Sequence, residues 1–104
     1  MSENELKQGV DTKTGTRRQT AKPPLFKVVL LNDDYTTMDF VVYILERVFH
    51  KTAPEAVRIM LSVHKEGVGL AGVFTREIAE TKIEQVHKLA REKEFPLKCV
   101  MERE

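Results

Sequence analysis

A chain of 104 residues with 41% hydrophobic and 32% charged residues at net charge +1 has room for one domain with a modest core and is neither a disordered nor a membrane chain. So even a charge balance supplies no pull toward phosphate backbones, and no run approaches the ~20 apolar residues of a membrane span. Cys99, the single cysteine, can neither close an internal disulfide nor make a zinc site alone, and the opening MSENELKQGVDTKTG lacks the apolar stretch of a secretory signal, so the expected location is cytoplasmic.

Residues 1–24 contain no aromatic residue and only scattered apolar ones. Such a stretch cannot bury enough apolar surface to offset the entropy of ordering it, which predicts a flexible tail ahead of a domain over 25–104. Pro23-Pro24 stiffens the junction and blocks helix there. Leu25 to Leu31 (LFKVVLL) predicts a strand, ended by the turn formers Asn32-Asp33-Asp34. Phe40, Val41, Ile44, Leu45, Val48 and Phe49 then recur at helical spacing, with Thr36 as the expected cap and Asp39 as its capping-box partner. A second helix is expected from Thr52, with Pro54 in its first turn and Glu55 at the capping-box position, until Gly67 stops it.

Val68 to Phe74 (VGLAGVF) predicts a second strand, weakened by Gly69 and Gly72. Thr75 is the expected cap of a longer third helix that buries Ala79, Ile83, Val86 and Ala90. Pro96 separates it from a last strand over Leu97 to Met101. The order β-α-α-β-α-β predicts an α+β domain: a small three-stranded antiparallel sheet with three helices packed on one face.

Familiar catalytic signatures are missing: the sequence has no GxSxG, HExxH, CxxC or glycine-rich phosphate loop. No enzyme activity and no cofactor are therefore expected. The informative cluster is Asn32-Asp33-Asp34-Tyr35-Thr36-Thr37-Met38-Asp39. Plain turn chemistry accounts for it, since Asx residues stop strands and Thr caps helices. His64 and Met60, one helical turn apart, are accounted for as ordinary packed or half-exposed side chains. A sharper reading requires the turn and the second helix to meet. Asn32, Asp33, Asp34, Thr36 and His64 would then rim an apolar cavity lined by Met38, Val41, Met60, Val63 and Leu97. Such a site suits an ammonium group beside a bulky side chain, as on a protein N-terminus beginning with Phe, Leu, Tyr or Trp. A metal-dependent hydrolase built on Asp33, Asp34 and His64 is a third possibility, with no evident catalytic group to support it. Spacing alone does not choose among them.

The segment KPPLFKVVLLNDDYTTMDFVVYILERVF is similar to the opening of the ClpS adaptor family, whose pattern runs from a Pro pair through a strand to NDDYT-x-M-[ED]-F-V. The resemblance continues in A-x-x-x-M-L-x-V-H-x-x-G (Ala56 to Gly67), in GVFTREIAETKIEQV (Gly72 to Val86) and in AREKEFPLKCVME (Ala90 to Glu102), and spans about residues 22–103. It implies that Asn32, Asp33 and His64 hold the α-amino group of an N-degron substrate, with Asp34 and Thr36 at nearby rim positions. Met38 matches the position that gates the pocket and rejects β-branched first residues; Val41, Met60, Val63 and Leu97 match its apolar lining. Glu77 and Lys82, expected to be exposed on the third helix, match positions that dock onto the N-terminal domain of a ClpA-type AAA+ unfoldase, for which a solvated helix face is the plainer explanation. The implied function is delivery of N-degron proteins to the ClpAP protease, with neither a nucleic-acid nor a membrane partner. The alternative is a non-degron interaction module docking through the third helix of the same fold. One departure is Thr37, where the family often has proline; both fit the first turn of a helix.

Overall fold

The computed structural model describes residues 22–104. Most of the expected tail, residues 1–21, lies outside the described residues, and Lys22 to Pro24 carry no regular structure. The described chain forms β1 (Leu25–Leu31), α1 (Met38–Arg47), α2 (Ala53–Glu66), β2 (Val68–Thr75), α3 (Arg76–Glu92) and β3 (Lys98–Arg103). It is an α+β fold whose sheet has the order β2-β1-β3, with β1 antiparallel to both neighbours.

β1 is central because its even-numbered residues Phe26, Val28 and Leu30 are all buried. They face the helices together with Ala71 and Cys99 of the flanking strands. Across the opposite face the pairing aligns Leu70, Val29 and Val100, and there Leu70 and Val100 stay 47% and 42% exposed. The three helices therefore cover one face of the sheet and leave the other open. The register of β1 and β2 shifts at Val28/Val29, a bulge that lets a strand containing Gly69 and Gly72 bend against α2. At Gly69 an added Cβ would come within 2.5 Å of a Val63 methyl and 3.0 Å of the Ile59 carbonyl oxygen, so β2 and α2 approach as closely as a glycine allows.

Each helix starts where its local chemistry directs. Thr37, not Thr36, caps α1: its Oγ1 accepts from the Phe40 N–H at 3.1 Å, and the expected box with Asp39 is not formed. The Thr36 hydroxyl is instead turned to Asp33, donating to its Oδ2 at 2.7 Å. α2 opens with the full capping box, Thr52 Oγ1 accepting from Glu55 N–H and Glu55 Oε1 accepting from Thr52 N–H. It ends at Gly67, whose φ of 88° is a left-handed conformation that only glycine adopts readily. Thr75 stands at the head of α3 without a side-chain cap bond. α1 buries Phe40, Val41, Ile44 and Leu45, and the core continues past its end through Val48 and Phe49. Fully burying side chains such as Ile44 and Leu45 contributes about 1.5–3 kcal/mol each.

Candidate functional site

The turn after β1 is organised by Asp33. Its Oδ1 accepts from the N–H groups of Tyr35 (2.8 Å) and Thr36 (2.7 Å), and its Oδ2 accepts from the Thr36 hydroxyl (2.7 Å). Partial burial, the largest single influence, pushes the Asp33 carboxyl up. The bonds from the Thr36 hydroxyl and from the Thr36 and Tyr35 N–H groups together outweigh it and hold the pKa below its ordinary value. An ionised carboxylate offers about four acceptor positions, so Asp33 keeps capacity for one more donor. The adjacent Asn32 N–H donates to the Gly67 carbonyl at 3.0 Å. That bond ties the end of β1 to the end of α2 and brings the turn against the second helix.

The two meet around a cavity of about 430 Å³. Asn32, Asp33, Asp34, Thr36 and His64 all line it, with Tyr35 and Thr37 beside them. Its apolar part comes from two helices: Met38 and Val41 on α1, three residues apart, and Met60 and Val63 on α2 at the same spacing, which puts each pair on one face. His64 follows Met60 by one turn, so α2 presents a floor residue and a rim residue in line. Val41 and Val63 are almost wholly buried, whereas Met38 is 44% exposed and stands at the mouth. The site therefore offers acceptors above and hydrocarbon below.

Of the residues expected at the cavity, all but Leu97 converge here. Leu97 is buried and lines a separate cleft beside Phe95 and Cys99, not this cavity. It precedes β3, where its side chain is seated by the end of α3. Glu77 lies exposed on α3 near Glu80 and Glu84, well outside the cavity walls. Lys82 is only half-buried and is not a free surface cation: its Nζ donates to the Val48 carbonyl at 2.8 Å and sits 5.7 Å from the centre of the Phe74 ring. Sequence reasoning had not singled out Tyr35 and Thr37 as site residues, although they stand inside the turn that it did single out. Among the described residues no group of three or more His, Cys, Asp or Glu side chains is placed to hold a metal, Asp33, Asp34 and His64 included. No helix among them is long and apolar enough to cross a membrane.

Comparison with known proteins gives one consistent result. The family model described as ATP-dependent Clp protease adaptor protein ClpS matches residues 21–100. The chain is 60% identical over 96 residues to the ATP-dependent Clp protease adapter protein ClpS of Hyphomonas neptunium, covering 92% of this chain and 81% of the relative. It is 61% identical over 94 residues to that of Desulfatibacillum aliphaticivorans, covering 90% of each. Among solved structures, Agrobacterium tumefaciens ClpS2 bound to L-phenylalaninamide superposes with a TM-score of 0.77 at 41% identity, covering 80% of this chain and all of the other.

Proposed function

The chain belongs to the ClpS family of ATP-dependent Clp protease adaptor proteins, and from that premise we propose that its cavity holds the free N-terminal residue of N-degron proteins for delivery to a ClpA-type AAA+ unfoldase. The observation that carries the reading is the pairing of an ionised, oriented Asp33 with the apolar side chains of Met38, Val41, Met60 and Val63 in one cavity. An α-ammonium group brings three donors to the rim, where Asn32, Asp33 and His64 supply acceptors and Asp34 adds negative charge. The first side chain enters between Met38, Val41, Met60 and Val63. Met38 at the mouth excludes first residues branched at Cβ, which carry their width beside the backbone. L-Phenylalaninamide, the ligand of the Agrobacterium tumefaciens relative, carries the same three features: a free α-amine, an apolar side chain and a blocked carboxyl.

Burying a Phe or Leu side chain contributes about 1.5–3 kcal/mol, and each hydrogen bond to the ammonium about 1.5–3 kcal/mol. Two or three such bonds, less the cost of ordering a peptide end, give roughly −8 kcal/mol, a micromolar affinity suited to cargo that must be released. Docking onto the N-terminal domain of the unfoldase falls to the exposed α3 face that carries Glu77. Lys82, tied to Val48, serves that face by fixing α3 against the end of α1. The domain over 25–104 is the binding unit, the segment before it takes part in delivery, and the cytoplasm is the setting. The test is a fluorescence titration with a short peptide beginning with free Phe, beside its acetylated form and an Ala-led form. Micromolar binding by the first alone is expected; equal binding by the acetylated peptide would overturn the reading, because it leaves Asp33 with no cation to meet.

A further inference from the structure

A second cleft lies between the end of α3 and the start of β3 and shares no lining residue with the cavity at the β1–α1 turn. Its volume of about 330 Å³ falls at the small end of the roughly 300–1,000 Å³ of ligand pockets. The walls are mostly hydrocarbon, from Ala90, Phe95, Pro96, Leu97 and Val100. They are also held in place. The Phe95 N–H donates to the Ala90 carbonyl at 2.9 Å and the Glu94 N–H to the Arg91 carbonyl at 3.0 Å, while Pro96 restricts the next link of the chain.

Arg91 and Lys98 border this hollow as cations. His87 Nε2 accepts from the Cys99 N–H at 3.1 Å, which fixes the neutral ring with its proton on Nδ1 and joins α3 to β3 at the back of the cleft. No carboxylate lines the cleft among the described residues. An apolar hollow bordered by two cations complements a molecule with a hydrocarbon body and an anionic head. A neutral ligand of the same shape leaves the charge-assisted bonds unmade.

We propose that this cleft binds small aromatic or branched aliphatic carboxylates, with Arg91 and Lys98 holding the carboxylate and Phe95, Pro96 and Leu97 enclosing the hydrocarbon. The volume of about 330 Å³ is ample for one ring or one branched chain. The site is independent of the N-degron cavity and requires no free amine on its ligand.

The test is a titration of the 15N-labelled full chain with phenylacetate, followed through backbone amide shifts. Saturating shifts are expected at Ala90, Arg91, Phe95, Lys98 and Val100, in the millimolar range for so small and open a site. Phenylacetamide, equal in shape and uncharged, should bind at least about tenfold more weakly. The double variant Arg91→Gln/Lys98→Gln should lose phenylacetate binding to the same degree and still bind a Phe-led peptide at the other cavity as the wild type does. Absence of saturable shifts at those amides, equal binding of phenylacetamide, or shifts confined to Asp33 and Met60 would each overturn the assignment.

Discussion

The Asp33 carboxylate takes three hydrogen bonds from its own turn, so its orientation is settled without any ligand. Its pKa is lowered from 3.8, and the sign of the linkage follows: the stabilisation from these bonds is complete above that value and is lost as pH falls through the lowered one. Replacing Thr36 with Val removes the hydroxyl bond, so a 13C carboxyl titration should find Asp33 titrating at higher pH in the variant than in the wild type. An unchanged midpoint would show that the hydroxyl does not hold the carboxylate. Asp33→Asn keeps the shape and discards the charge. Affinity for a Phe-led peptide should drop roughly tenfold to a hundredfold while urea unfolding shows a much smaller change. At this scale the sequence was only half legible. Adjacent threonines at 36 and 37 offer two equivalent caps, and the choice is made by Asp33 capturing the first hydroxyl, a side-chain contact that periodicity does not encode.

The ends of the elements, more than their middles, shape the site. Gly67 closes α2 in a left-handed conformation with open space around its missing Cβ, so Gly67→Ala carries a backbone cost alone, about 1–2 kcal/mol, measurable as a shift in the urea midpoint. α3 and β3 are clasped by the Cys99 N–H on His87 Nε2. Burial lowers the His87 pKa, and the positive charge of Arg91 lowers it further. Protons then bind the unfolded chain more readily, so the contribution of this group is complete above the ordinary imidazole range and lost as pH falls through the depressed value. Unfolding midpoints followed from pH 7.5 down to 5 should therefore fall less in His87→Gln, whose amide oxygen accepts without titrating, than in the wild type. The elements themselves were legible from alternation, caps and glycine stops: β1 and the start and stop of α2 match their expected bounds. Lys82 was not. Its polarity predicts a solvated head, and only the packing of α3 against the end of α1 brings its ammonium to the carbonyl of Val48.

Across the whole molecule, the cavity exists because residues 32–38 and 60–64, distant in sequence, are held together by the Asn32–Gly67 bond and by a core that α1 and α2 share. Ile44 is wholly buried in that core, and Ile44→Ala should cost about 2–5 kcal/mol in urea unfolding. Convergence of this kind is not written in spacing, which is why turn chemistry alone accounted for the NDDYTTM segment until the fold placed His64 and Met60 beside it. Leu97 shows the same limit: its apolar character was plain from the sequence, and the seat of β3 decided which hollow it lines. The central claim is that the α-amine of a bound N-terminal residue meets the Asn32–Asp33–His64 rim while its side chain fills the floor. A crystal structure of the chain with a Phe-led peptide tests it most directly. The nitrogen should lie within about 3 Å of acceptors on those three residues, with the ring between Met38, Val41, Met60 and Val63. A peptide seated elsewhere, or one whose amine faces solvent, would contradict it.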